Sequence, residues 1–228
     1  MTTTKARVLK LVATFVAGLA VCVSAKAQSE IVYNNTANPS GDFNASYSSA
    51  FEFGDEVALQ GVGRTLTDFQ FEYFGSLTED ASKFMLLSIY KADGTSPAGS
   101  PGTLLFQTDP IQVHNGFQSV ELSGISGVTL SDDIIWTITP FGINNSADKV
   151  SLLLYDPPTI GSSANDFWQK DASGWTRTVL NNSSGSAIAN FGAKITVVPE
   201  PTAGQLLMLG GVGYLVFVGY KRRTARTA

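Results

Sequence analysis

Any chemistry on this 228-residue chain has to be built almost entirely from oxygen, because its one histidine is His114 and its one cysteine is Cys22. Cys22 falls inside an N-terminal apolar run. The body beyond it therefore has no thiolate nucleophile, no disulfide and no Cys-ligated zinc. A single imidazole cannot assemble a histidine-based zinc, iron or copper centre. His114 is followed by Asn115-Gly116, which reads as a turn carrying a solvated side chain. A Ser-His-Asp set would have to use that histidine, and no G-x-S-x-G turn presents a serine. Glycoside hydrolysis needs only two carboxylates, roughly 5–10 Å apart. Glu52, Asp55 and Glu56 form the densest acidic group, while Asp68 and Glu72 share one face of the next strand. Four residues along a strand span about 13 Å, too far for the second pair alone.

The first acidic group surrounds Gly54, reads as a turn, and lacks the alternating E-x-D-x-x-E pattern of laminarinase-like sandwiches. These acids are expected to be surface groups, which leaves a polysaccharide hydrolase as the third reading. Calcium needs only oxygen ligands, and Asp132-Asp133 and the loop from Asp156 to Asp171 could supply them. Neither forms a D-x-[DN]-x-[DN]-G loop. No cofactor and no metal ligand is assigned, with structural calcium the one alternative. Carbohydrate binding has better material. Tyr155, Trp168 and Trp175 lie near one polar loop with Phe167, Asn165, Asp166, Gln169 and Asp171, the aromatic and amide mixture of sugar sites. The competing expectation is that Trp168 and Trp175 face inward from two short strands.

Charge narrows the partners. Net charge is -4, but four basic residues crowd each end of the chain. Between Gln28 and Val198 there are seven basic residues against eighteen acidic ones, a net charge of -11. So acidic a body argues against nucleic acid or anionic lipid.

The elements that must position these residues are strands. Phe69, Phe71 and Tyr73 alternate with Asp68, Gln70 and Glu72, the pattern of a half-buried strand. Phe84–Tyr90 is apolar at nearly every position and predicts a strand covered on both faces at a sheet centre. Further strands are expected over 103–107, 117–122, 134–141 and 150–155, around Phe167-Trp168 and Trp175-Thr176, and over 187–198. Short strands between Gly, Asn, Asp and Pro turns, with no sustained helical period, indicate an all-β fold, a single antiparallel β-sandwich of jelly-roll type.

Both ends read differently. Lys5, Arg7 and Lys10 precede an apolar stretch from Leu11 to Val23, then Ala25-Lys26-Ala27. That is a secretory signal peptide over 1–27, with cleavage after Ala27 at the Ala25-x-Ala27 site. At the other end stand Pro199-Glu200-Pro201, an apolar run from Ala203 to Tyr220, and Lys221-Arg222-Arg223. The run would span about 27 Å as a helix, just enough for a bilayer core of about 30 Å, and the basic cluster marks its cytoplasmic side. A signal helix and a C-terminal transmembrane helix thus flank an exported domain over 28–198.

In its order of motif, apolar span and basic end, the segment 199–228 resembles the PEP-CTERM sorting signal of Gram-negative bacteria. Pro199, Glu200, Pro201, Lys221, Arg222 and Arg223 carry the resemblance. Stretches such as Gly54-Asp55-Glu56-Val57 and Phe71-Glu72-Tyr73-Phe74-Gly75 make the body similar to uncharacterised β-rich members of that group. The resemblance implies recognition by an exosortase, which is a membrane transpeptidase cutting near the motif, in a bacterium that makes exopolysaccharide. It carries over no catalytic residue. The expected protein is non-catalytic and exported through the inner membrane. The C-terminal helix holds it there before processing, and it then reaches the cell surface or extracellular matrix. The alternative is a carbohydrate-binding module of that matrix with exopolysaccharide as partner.

Overall fold

The computed structural model describes residues 28–43, 51–78, 82–143, 147–179 and 190–199. The signal segment with Ala25 and Ala27 lies outside them, as does the tail from Glu200 onward. Among the described residues, no helix is long and apolar enough to cross a membrane.

In chain order the strands are β1 (Glu30–Asn34), β2 (Pro39–Phe43), β3 (Glu52–Ala58), β4 (Thr65–Ser76), β5 (Phe84–Lys91), β6 (Leu104–Gln107) and β7 (Ile111–Gln112). They continue as β8 (Gly116–Ser123), β9 (Asp133–Phe141), β10 (Lys149–Tyr155), β11 (Ser162–Ser163), β12 (Phe167–Asp171), β13 (Gly174–Thr178) and β14 (Ala193–Val198). They form two antiparallel sheets. The first runs β1-β14-β4-β10-β2, with β8 also paired to β4. The second runs β13-β12-β3-β9-β5-β6, with β11 on β3 and β7 on β5. After β2 the chain alternates between sheets: β3 is in the second, β4 in the first, β5 to β7 in the second, β8 in the first, and so on to β14.

The apolar periodicity explains why these sheets close on one another. Phe69, Phe71 and Tyr73 of β4 enter the core, as do Ile134, Trp136 and Ile138 of β9 and Val150, Leu152 and Leu154 of β10. Leu66 is out of phase with Phe69 by one residue, yet both are buried. The register against β14 shifts there, pairing Thr196 with Asp68 and Val197 with Leu66. Thr67 is the extra residue of this bulge, which turns both apolar neighbours inward. Aromatic rings bridge the two layers. The Trp136 ring lies 5.5 Å from Phe69 and 6.0 Å from Phe71, centroid to centroid, and 6.3 Å from Phe191. Phe191 in turn packs edge-on to Phe53 and Phe167.

Several expectations need correction. The acidic group around Gly54 is not a turn but the middle of β3, between β9 and β12. Gly54 is required there, because a Cβ would stand 1.9 Å from the Trp136 carbonyl oxygen. The segment Phe84–Tyr90 is covered only in part on its outer face, where Ser88 is buried. Met85, Leu87 and Ile89 are buried, while Phe84, Leu86 and Tyr90 are half-buried on the outer face. Strands β1 and β2 were not expected, and the last strand begins at Ala193, with 187–189 outside the described residues.

Beside the first sheet, the loops after β4 and before β10 are tied by one ion pair. Lys83 Nζ lies 2.7 Å from Asp148 Oδ2 and also donates to the Thr78 carbonyl, while the Thr78 N–H donates to Asp148 Oδ1 at 2.7 Å. Both charged side chains are buried. Lys83, then the Thr78 amide, hold the Asp148 carboxyl below its ordinary range. A carboxyl lowered by folding adds stability above its unfolded pKa of about 3.9, and that stability is lost as pH falls through the folded value. Urea midpoints should therefore drop on acidification below about pH 4, and Asp148→Asn should flatten that part of the profile. Parallel acid limbs in the two proteins would show that the pair contributes nothing.

Candidate functional site

Trp168, Lys170, Trp175 and Arg177 come together on the outer face of the second sheet. The hairpin β12–β13 pairs Trp168 with Arg177 and Lys170 with Trp175. Because Phe167 enters the core, Trp168 one residue later faces outward. It is nonetheless only 1 % exposed. The Arg177 guanidinium lies over its ring, 5.7 Å from the centroid. Its indole N–H donates to Glu56 Oε2 at 3.1 Å. Arg177 is held in place by Asp166 at 2.8 Å and approaches Glu56 at 3.7 Å.

Trp175 stands differently. It is half-buried, 6.1 Å from the Tyr90 ring, with Lys170 Nζ 5.2 Å from its centroid. Beneath this group, Glu52 Oε1 accepts from the Tyr90 hydroxyl and the Thr137 hydroxyl, each at 2.8 Å. Lys170 lies 3.7 Å from the other carboxylate oxygen. Burial, then the hydrogen bond and charge of Glu52, push the Tyr90 hydroxyl up to about 12. Glu52 and Glu56 are thus tied into the sheet by hydrogen bonds and ion pairs. A half-exposed indole beside a phenol and an ammonium offers an apolar ring with polar edges.

Tyr155 does not join them. It belongs to β10 in the first sheet, out of phase with the core residues Leu152 and Leu154. Its ring lies against Gly192, where an added Cβ would be 2.6 Å from it. Its hydroxyl donates to Glu72. Burial, then Glu72, push that hydroxyl up to about 12. Tyr155 and the two tryptophans therefore lie on different sheets.

The calcium candidates also separate. Arg64 donates twice to Asp132 Oδ1, at 2.9 and 2.6 Å. From the loop Asp156–Asp171, however, Asp156 and Asn165 meet Asn190, which the sequence did not single out. Asn190 Nδ2 donates to Asp156 Oδ1 at 3.0 Å and to Asn165 Oδ1 at 2.6 Å. Its chain neighbour Phe191 donates its N–H to Asp55 Oδ2 at 3.1 Å, and the Ser163 hydroxyl donates to Asp55 Oδ1 at 2.9 Å. Asn35 Nδ2 donates to the carbonyls of Tyr155 and Phe191 at 3.0 and 3.2 Å. The Tyr33 hydroxyl is buried beside Asn35 and Ser163. Asp55 is completely buried, and desolvation holds its carboxyl well above the ordinary range. One clue to this cluster is visible in the sequence. Asp55 falls in phase with Phe53 and Val57, an acid at an inward position. Among the described residues, no three Asp, Glu, His or Cys side chains converge as a metal-binding group.

No family model, curated protein or solved structure matches this chain.

The two tryptophans should respond differently to truncation. Trp168→Ala removes a buried indole with its hydrogen bond to Glu56 and its contact with Arg177, and should cost about 3–5 kcal/mol. Trp175→Ala should cost about 1 kcal/mol, the order of an exposed cation–π contact. Urea denaturation measures both, and equal costs would contradict this assignment.

Proposed function

We propose that this chain is a non-catalytic protein of the cell surface or extracellular matrix. In this reading it is exported behind the signal peptide 1–27 and sorted by an exosortase through its C-terminal segment 199–228. The architecture reads as a jelly-roll-like sandwich, a reading supported by the alternation of the chain between two sheets around a common core. The observation that carries the functional reading is the order Pro199-Glu200-Pro201, apolar span, Lys221-Arg222-Arg223 behind an N-terminal export segment. The acidic, cysteine-free body supports it, as such a domain stays soluble and folds without oxidative pairing. Further support comes from the acids of β3. Glu52 and Glu56 already accept structural hydrogen bonds rather than facing one another across a cleft.

Fusing 199–228 to a neutral exported reporter tests the sorting role. In an exosortase-positive host the reporter should lose the tail and leave the inner membrane. A full-length reporter retained there would reduce the tail to an anchor.

A second reading, a carbohydrate-binding module, is favoured by one arrangement. Trp175 stands half-buried beside Tyr90 with Lys170 over its ring, leaving part of an aromatic surface facing solvent. Pull-down on the host's exopolysaccharide should then fall at least about tenfold in Trp175→Ala, as expected for a lost stacking contact worth 1.4 kcal/mol or more. Unchanged retention of the folded variant would dispose of this reading.

A further inference from the structure

The two ends of the sandwich lie side by side. Strand β1 begins at Glu30, which pairs with Val197 near the end of β14. Strand β14 ends at Val198, paired with Thr65, and Pro199 of the sorting motif is the next residue. A Cβ added to Gly63 would stand 3.2 Å from the Pro199 nitrogen, so the loop between β3 and β4 flanks the point where the tail leaves. That loop is fixed on several sides. Glu30 Oε2 accepts the Gly63 N–H at 3.2 Å, and a Cβ on Gly61 would collide with the same carboxylate. Gly61 has a φ of 76°, a left-handed conformation that suits glycine. The Gln60 N–H donates to the Val32 carbonyl at 2.8 Å, and the Leu130 N–H to the Arg64 carbonyl at 2.8 Å.

Between the two glycines stands Val62, 83 % exposed and the most exposed large apolar side chain among the described residues. Ile31, at the same end of the sheet, is also exposed. A lone surface valine is ordinary; its place beside the tail sets this one apart. Only residues 199–202 separate Val198 from the apolar run that starts at Ala203. Five Cα–Cα steps reach at most about 18 Å, and the lipid headgroups occupy about 5–7 Å of that reach. The end of the sandwich that bears Val62 is therefore kept at the bilayer surface while the run spans the membrane. The acidic body has no attraction to anionic lipid, so any contact there is apolar.

We propose that the Val62 loop and the start of β1 form a membrane-facing surface, seated on the phospholipid headgroups while the protein is anchored, a role that rests on the reading of 203–220 as a membrane span. Val62 and Ile31 enter the interface. The consequence is orientation. Strand β3 runs from Glu52 to Ala58 and leads into the loop, which puts Glu52 about 20 Å along the strand from that surface. Lys170 pairs with Glu52, and Trp175 with Lys170. The half-open indole thus lies at the end away from the bilayer, where matrix can reach it. Two apolar side chains are too few to hold the domain on lipid, so it departs once the tail is cut.

Full-length protein carrying Cys22→Ser has no other thiol. A single cysteine, from Val62→Cys or Ala172→Cys, can then carry a small fluorophore. Ala172 is exposed in the turn between β12 and β13, at the far end of the sandwich. The labelled protein is reconstituted into phosphatidylcholine vesicles containing lipid spin-labelled near the headgroup. The fluorophore on Val62→Cys should lose most of its emission to this quencher, and that on Ala172→Cys almost none. Protein that fails to float with the vesicles overturns the membrane-span reading and the membrane-facing surface with it. Protein that floats, with Val62→Cys no more quenched than Ala172→Cys, overturns the membrane-facing surface alone.

Discussion

The Asp55 carboxylate is the interaction on which the rest of the structure depends. It sits on β3 of the second sheet at an inward position, between Phe53 and Val57. There it accepts the N–H of Phe191, which leads into β14 of the first sheet. Burying a carboxyl among aromatic rings is costly unless its oxygens are hydrogen-bonded. Ser163 and Phe191 supply those bonds, so the chain before β14 is held where its phenyl ring meets Trp136, Phe53 and Phe167. Asn35 fastens the same point from the other side by donating to the Phe191 carbonyl. A single polar knot thereby joins both sheets and completes the aromatic layer between them.

Around this knot the molecule divides its side chains by face. The inner faces are apolar and aromatic. On the outer face of the second sheet Glu52, Glu56, Lys170 and Arg177 neutralise one another around two tryptophans, one covered and one half-open. The outer face of the first sheet carries Gln70, bonded to Ser119, and Glu72, which takes the Tyr155 hydroxyl. The acids near the aromatics thus stabilise the sheets. In the proposed role that is sufficient, because an exported matrix protein needs a durable, soluble body and a tail that directs it.

The strands were legible wherever period-two alternation is clean, as in β4 and β9, or where the run is strongly apolar, as in β10. Alternation failed where the chain broke a local rule. Gly54 between acids resembles a turn, and only the close approach of the Trp136 carbonyl shows why a strand needs glycine there. Strand β2 is short and polar, so its pairing rests on tertiary partners rather than propensity, whereas β1 holds a strand-favouring run, Ile31-Val32-Tyr33, of only three residues. Trp168 was ambiguous between core and surface because it is both buried and outward-facing, covered by an arginine rather than by the opposite sheet. The loop Asp156–Asp171 could be marked as oxygen-rich, but its partners Asp55 and Asn190 lie outside it in the chain. No local pattern links them.

Amide hydrogen exchange at Phe191 tests the central role of the knot most directly. If the Asp55 bond holds the two sheets together, this amide exchanges only through global unfolding, with the protection of central β9 amides such as Trp136 and Ile138. Exchange by local opening, orders of magnitude faster than in β9 while the strands stay protected, would contradict the account.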